Sequence, residues 1–298
     1  MILDEDDVRR LLSMGELIPA MERALTDLSS GRVVQPLRAV VPVADHSGFL
    51  GIMPAYAGRA LGAKLVTFFP ENRDLHTHHA TIVLFRPETG EPLVTMDGRL
   101  ITEMRTAAVS AVATKALARP DASVLAILGS GVQARSHLEA LPRVRPLSEV
   151  RVWSPHRAGV FAERFGVRAA ASAQDAVVGA DVVVVATTSK TPVLRGDWLS
   201  PGTHVNAVGA SRPDWRELDD EVLARARVFV EEREAASKES GDVIAAGRIA
   251  AEIGEVVLGT APGRVSPEEI TLFKSVGVAV EDVVAADLVY RVAAAEHR

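Results

Sequence analysis

Apolar and polar residues recur along this chain with two different rhythms, and the change comes shortly after Pro120. At the start, Leu17, Met21, Ala24, Leu25 and Leu28 recur at helical spacing, which predicts a helix from the first residues to near Gly31. Strand-like pieces follow: "LRAVVPV", "GFLGIMPAY", "GAKLVTFF", "ATIVLFR" and "PLVTMD". The turn-forming "PETG" separates the last two and predicts an antiparallel hairpin. Leu100 to Ala118, rich in Ala, Met and Leu, predicts a long helix broken at Pro120.

Beyond Pro120 strands and helices alternate. "SVLAILG", "EVRVWS", "VRAAAS", "ADVVVVATT" and "GTHVNAVGAS" are the strand candidates, and helical patterns such as "HRAGVFAERFG" and "AQDAVVG" fall among them. Several of these strands are continuous apolar runs, as expected of a parallel sheet covered on both faces. "VLARARVFVEE" and "IAAEIGEVVLG" follow, and "GVAVEDVVAADLVYRVAAAE" closes the chain as a helix long enough to fold back onto the N-terminal region. The predicted fold class is α/β. A Rossmann-type dinucleotide-binding domain takes residues 118–275, and a mixed α/β domain takes residues 1–117, with 276–298 packing back on it.

The strongest local signal is "LAILGSGVQARSHLEAL", an apolar run entering Gly129-Ser130-Gly131 and then a helical pattern. In a dinucleotide-binding turn the first glycine permits the bend, the second lets the backbone approach a pyrophosphate, and a small third residue, here Ala134, allows close helix packing. The free N–H groups of the first helical turn would face the phosphates. The second strand, "EVRVWS", ends at Trp153-Ser154 without the carboxylate that would bind a ribose 2'-OH; Ser154, His156 and Arg157 stand there instead. Arg157 offers forked donors to a 2'-phosphate, which favours NADPH and leaves NADH possible.

Composition narrows the remaining chemistry. The 298 residues are 48% hydrophobic, enough for real cores, and carry a formal charge of -6, with 33 basic residues scattered among 39 acidic ones, so no nucleic-acid surface is expected. Cysteine is absent, which excludes disulfides, a thiol nucleophile and a Cys-ligated metal. No segment reads as a signal peptide or membrane span, and a cytoplasmic location is expected. His78 and His79 are adjacent on a strand, face opposite ways and have no third ligand at metal spacing, so no metal is expected.

Three cations stand in unusual places. Arg38 and Lys64 fall in strand-like segments and Arg105 in the apolar helix "ITEMRTAAVSAVATK", where a charge must either snorkel to water or find an anion. In the second half, "GTHVNAVGASRPDWREL" brings Ser211 and Arg212 to the end of an apolar strand, where open parallel sheets bind ligands. "TLFKSVG" places Lys274 and Ser275 before a glycine and a helix, a pattern equally suited to a helix entrance.

Over essentially its full length the sequence resembles the ornithine cyclodeaminase and mu-crystallin family, most strongly its mu-crystallin side. The resemblance is carried by "LVTFF", "MDGRLITEMRTAAVSAVATK", "ILGSGVQARSH", "NAVGASRPDWRELDDE", "KESGDV" and "FKSVGVAVEDVVAADLVY". It implies an N-terminal domain for substrate and dimerisation, hence a homodimer, and a Rossmann domain for a nicotinamide cofactor. It assigns Arg38, Lys64 and Arg105 to a substrate carboxylate, and Gly129, Gly131, Val132 and Gln133 to the pyrophosphate. Ser154, His156 and Arg157 fall to the adenosine ribose or 2'-phosphate, and Thr187, Val208 and Lys274 to the inner cofactor wall. Ser211 and Arg212 would border the reacting centre, with Arg105 and Thr106 also able to touch the cofactor from the domain junction.

The family holds several chemistries. Ornithine cyclodeaminases are implied to use an acidic residue where this chain has Ser211 and an amine-binding Glu where it has Gly51. Both carboxylates are missing, which weakens that reaction, and Ser211 also counts against a simple alanine dehydrogenase; an ornithine cyclodeaminase or an amino-acid dehydrogenase, alanine dehydrogenase-like or iminosuccinate reductase-like, is the alternative enzyme reading. The resemblance instead implies NADPH-dependent reduction of a cyclic ketimine bearing a carboxylate, of the 1-pyrroline-2-carboxylate or 1-piperideine-2-carboxylate type. A non-catalytic small-ligand-binding role is the alternative outside enzymology.

Overall fold

Two capping side chains decide how the chain begins. Asp4 accepts from the Asp7 amide at 2.9 Å, and Ser13 from that of Glu16 at 3.3 Å, so each starts a helix of its own. The single helix expected before Gly31 is therefore a short strand β1 (Ile2–Leu3) followed by α1 (Glu5–Leu11) and α2 (Met14–Ser29). The helical spacing of Leu17, Met21, Ala24 and Leu25 is real, and all four are buried.

The structure, a computed structural model, describes residues 1–296. It divides into two compact units, Met1–Arg105 with the segment from Gly277 onward, and Thr106–Val276. In the first, β2 (Ala39–Val43), β3 (Gly48–Ala57), β4 (Ala60–Phe68), β5 (His78–Phe85) and β6 (Pro92–Asp97) join β1 in a six-stranded sheet of order β1-β6-β5-β4-β3-β2. Its neighbours are antiparallel except β1, which runs parallel to β6; β5 and β6 form the hairpin that "PETG" predicts.

Strand alternation gives this sheet one covered and one open face. Met53, Lys64, Ile82 and Met96 stand in one cross-strand row, all buried, beneath the C-terminal helix Ala279–Glu296, which packs on β3, β4 and β5 and against α2. On the opposite face the row Ala39, Ile52, Leu65 and Thr81 is only partly covered.

The second unit holds an eight-stranded sheet in which every pairing is parallel. Its strands are β7 (Val124–Leu128), β8 (Glu149–Trp153), β9 (Arg168–Ala169), β10 (Val182–Val185), β11 (His204–Ala207), β12 (Ala226–Val230), β13 (Ala251–Glu252) and β14 (Ile270–Lys274). Their order is β13-β12-β14-β11-β10-β7-β8-β9. Winding outward in both directions from β7 puts a topological switch between β7 and β10, where such sheets bind dinucleotides.

The long helix α3 (Arg99–Leu117) forms as its composition predicts, but the division between units falls inside it, between Arg105 and Thr106, rather than after its end. Its later turns belong to the parallel sheet: Ser110 Oγ meets the buried His137 Nε2 at 2.9 Å, and Thr114 Oγ1 accepts from Asn206 Nδ2 at 2.9 Å.

Candidate active site

At the switch point β7 runs into Gly129, and α4 (Val132–Ala140) begins at Gly131. Gly129 has φ +122°, and a Cβ there would run into the Ala186 carbonyl oxygen just beyond β10, so backbone conformation and close approach both demand glycine. A Cβ on Gly131 would meet nothing, no side chain caps α4, and the Gln133 Oε1 is buried without a partner. Open space and uncapped first-turn N–H groups fit a pyrophosphate, and the unsatisfied amide oxygen is an acceptor for a hydroxyl or N–H donor beside it. Ala134 is fully buried, as helix-on-strand packing requires, and Val132 is exposed at the mouth.

Past β8, Ser154 Oγ lies 2.8 Å from Ser130 Oγ and accepts from the Arg157 amide at 3.2 Å, tying the second strand's end to the glycine turn. His156 and Arg157 are exposed, and Arg157 stands at the N-cap of α5 (Ala158–Phe165). No carboxylate among the described residues pairs with the Arg157 guanidinium, and a cation at a helix N-terminus is opposed by the dipole unless an anion joins it.

Further along the strand ends lie the three residues assigned to the inner cofactor wall, joined by Glu217 and Asp242, which the sequence reading did not name. Thr187 follows β10, Val208 follows β11 and Lys274 ends β14. Lys274, fully buried, donates to the Gly209 carbonyl and has Asp242 at 3.6 Å. Glu217, also fully buried, accepts at Oε1 from the Thr187 amide at 2.9 Å and hydroxyl at 2.5 Å, while its Oε2 has no partner. Burial pushes the Glu217 carboxyl up to about 7, against the pull of Lys274 and the Thr187 hydrogen bonds. Gly209 is small because a Cβ would collide with that carboxyl. Ser211 is exposed after Ala210 at φ +50°, and the Arg212 guanidinium stacks 5.3 Å over the Trp215 ring with Asp214 at 3.7 Å.

In the first unit the three expected cations converge, but not alone. Lys64, buried in its apolar row, has Nζ 2.6 Å from Asp282 Oδ2 and 3.5 Å from Thr102 Oγ1. Arg105 donates from Nε to Asp282 Oδ1 at 3.0 Å and from Nη1 to Glu281 Oε2 at 2.6 Å. Arg38 Nη2 reaches the Gly277 carbonyl at 2.8 Å. Burial pushes the Lys64 ammonium down to about 8, Asp282 resisting and Arg105 and Arg38 assisting. Asp282 would be raised by its burial, but Arg105 and Lys64 hold it below the usual carboxylate range. Glu281 and Asp282 are the residues that the sequence reading missed. The signal was present: two adjacent carboxylates in the apolar "VAVEDVVAA" raise the question asked of Arg105, and each answers the other.

Residues 1–297 match the Ornithine cyclodeaminase/mu-crystallin family. A ketimine reductase mu-crystallin of Macropus fuliginosus is 51% identical over 97% of this chain and 96% of its own length. The chain belongs to this family. A delta(1)-pyrroline-2-carboxylate reductase of Bacillus cereus is 39% identical over 97% of the chain and 95% of its own length. Among solved structures, the Thermococcus litoralis delta(1)-pyrroline-2-carboxylate reductase in complex with NADH and L-proline superposes with a TM-score of 0.95 at 40% identity, covering 100% of this chain and 98% of that one. An archaeal alanine dehydrogenase dimer with bound NAD reaches 0.94 at 36% identity, covering 100% and 97%. The α/β architecture of a Rossmann-type unit with a mixed α/β unit is the one that family members share.

Within this family, the two positions that disfavour cyclodeamination are placed clearly. Gly51 lies on β3 on the same face as Lys64 and packs a hydrogen-only position against Val66, whose Cγ1 would stand 3.1 Å from a Cβ. Ser211 brings no charge. Glu281 and Asp282, the carboxylates that do lie beside Lys64 and Arg105, are already engaged by those cations. Thr106, the first residue of the second unit, is buried in α3. No group of His, Asp or Glu that could hold a metal occurs among the described residues, and none of their helices is long and apolar enough to cross a membrane.

Proposed function

We propose that this chain reduces a cyclic imine carrying a carboxylate on the imine carbon, of the five- or six-membered 2-carboxy type, to the cyclic amino acid, with NADPH as the preferred reductant. The observation that carries this reading is the buried Lys64–Asp282–Arg105–Glu281 cluster with Arg38 beside Gly277. Those five side chains comprise three cations and two carboxylates, so a monocarboxylate ligand brings them to neutrality, whereas a further ammonium has no anion left to meet. Lys64 and Arg105 are pinned by their acidic partners, which holds them pre-set for a planar carboxylate rather than free to fold toward solvent. The names of similar proteins, which act on ketimines and on pyrroline-2-carboxylate, point the same way.

The bound nicotinamide supplies a hydride to the imine carbon. The protein's part is to hold the imine still and keep its nitrogen protonated. Gly129, Gly131, Val132 and Gln133 would hold the pyrophosphate, Ser154, His156 and Arg157 the 2'-phosphate, and Thr187, Val208 and Lys274 the wall around the nicotinamide. Ser211 and Arg212 would border the reacting carbon. The exposed Arg157, without a carboxylate partner, supports NADPH over NADH. A homodimer belongs to the same reading: the open face of the first sheet leaves Val41 and Leu65 more than a third exposed, and a second copy of this chain would cover them.

The test is NADPH consumption with 1-pyrroline-2-carboxylate and 1-piperideine-2-carboxylate, beside ornithine, pyruvate with ammonium, and iminosuccinate. Turnover of a cyclic imine well above the others is expected. Proline and ammonia formed from ornithine without net NADPH consumption would refute it, as would binding of cyclic imino acids with no turnover of any.

A further inference from the structure

The ammonium of Lys64 has three hydrogens, one facing a hydrogen-bond acceptor and another beside an ion-pair partner that makes no hydrogen bond with it. Asp282 Oδ2 lies 2.6 Å away, and Thr102 Oγ1 lies 3.5 Å away with its own hydrogen given to the Gly98 carbonyl at 2.7 Å, so its lone pair is what faces the ammonium. The third hydrogen has no acceptor among the described residues. Asp282 is itself fixed from the other side, since Oδ1 accepts from Arg105 Nε at 3.0 Å, and Arg105 is held in turn by Glu281. A fully buried carboxylate that bridges two cations, one on β4 and one on α3, sets where the Lys64 ammonium points and how long it stays charged.

We propose that Asp282 is the positioning residue that makes Lys64 the proton donor of the reaction: its ion pair anchors the ammonium in place and leaves a hydrogen available to the imine nitrogen. The proposal rests on the imine-reductase reading. In the step, a Lys64 Nζ–H bond breaks and an N–H bond forms at the imine nitrogen. The C=N bond becomes C–N as the carbon receives the hydride and the reduced nicotinamide is oxidised. Lys64 is left as the neutral amine and regains its proton from water. The charged groups facing Lys64 are Asp282 and Glu281 from the C-terminal helix, Arg105 from α3 and Arg38 from the segment before β2, with His78 from β5. His78 sits at the exposed start of β5, where partial burial and the charge of Lys64 act against its protonation. The two arginines favour the neutral amine, and Asp282 is the counterweight.

The experiment compares pH profiles of kcat/KM for the parent, Asp282→Asn, Asp282→Glu and Lys64→Met with one cyclic 2-carboxy imine, substrate ionisation being common to all. The parent should lose activity as Lys64 deprotonates, and Asp282→Asn should move that alkaline limb down by roughly one to three pH units, since it removes an opposite charge in contact. Its kcat should fall by roughly tenfold or more with KM little changed at low pH. Asp282→Glu keeps the charge at a displaced position, so its limb should stay near the parent's while kcat drops. This arm carries the test if the asparagine variant does not fold. An alkaline limb unchanged in Asp282→Asn, or one in Asp282→Glu displaced as far as removal of the charge requires, overturns the role of Asp282 alone. Undiminished turnover in Lys64→Met overturns Lys64 as the donor and leaves the imine-reductase reading standing, whereas a parent with no cyclic-imine turnover overturns that reading itself.

Discussion

Replacing Glu217 with glutamine should abolish a pH dependence of stability built into the second unit. The buried carboxyl is raised from 4.5 to about 7 by loss of solvent, so the folded protein holds a proton that the unfolded chain releases above about 4.5. The associated stability is fully present below the unfolded value and is lost as pH rises through about 7. A raise from 4.5 to about 7, at roughly 1.36 kcal/mol per pH unit, makes the loss about 3 kcal/mol. Glutamine keeps an oxygen to accept from the Thr187 amide and hydroxyl and places a neutral NH2 where Oε2 has no partner. Urea unfolding followed by tryptophan fluorescence is the assay, because Trp153, Trp198 and Trp215 all lie in the second unit. Between pH 5 and pH 8 the parent should lose about 2.5 kcal/mol of this relative to Glu217→Gln, all other titrating groups being shared. Parallel pH profiles for the two proteins would refute the reasoning, whatever constant offset separates them.

The remaining predictions concern ligands and assembly. Arg157→Ala should weaken NADPH binding by roughly tenfold to a hundredfold, as loss of a hydrogen bond to a charged group does, and NADH binding far less; direct titration of both cofactors decides it, and equal losses would remove Arg157 from the 2'-phosphate. Lys64→Met should lower kcat/KM for the cyclic imine by roughly 10²- to 10⁴-fold, against less than about tenfold for Ser211→Ala, and steady-state assays rank the two. Gly129→Ala forces a side chain into φ +122° and the Ala186 carbonyl, so it should cost about 1–3 kcal/mol and impair binding of both cofactors, read by thermal unfolding and titration. Light scattering across micromolar concentrations should give the mass of a dimer, and a persistent monomer would contradict the assembly.

Hydrophobic period and glycine chemistry by themselves determined most of the architecture. Continuous valines at β10, "PETG" between β5 and β6, and the small residues of the β7 turn each act through neighbours in sequence or through one local geometry. The sequence also exposed Arg38, Lys64 and Arg105 as cations in apolar surroundings. What answers two of those charges could only be decided in three dimensions. Asp282 is 218 positions from Lys64 and 177 from Arg105, and no periodicity links a strand, one helix and another helix at the far end of the chain. Glu217 escaped for the same reason: Thr187 follows β10, Asp242 lies in the helix Gly241–Ala246 and Lys274 ends β14, and these partners, far apart in sequence, meet only in the folded unit. Local caps at Asp4 and Ser13 overrode the helical rhythm at the start, since a side-chain acceptor for an amide begins a new helix regardless of the apolar stripe around it. Burial is a property of the assembled fold, and it is burial that pushes the Lys64 ammonium down to about 8 and the Glu217 carboxyl up to about 7.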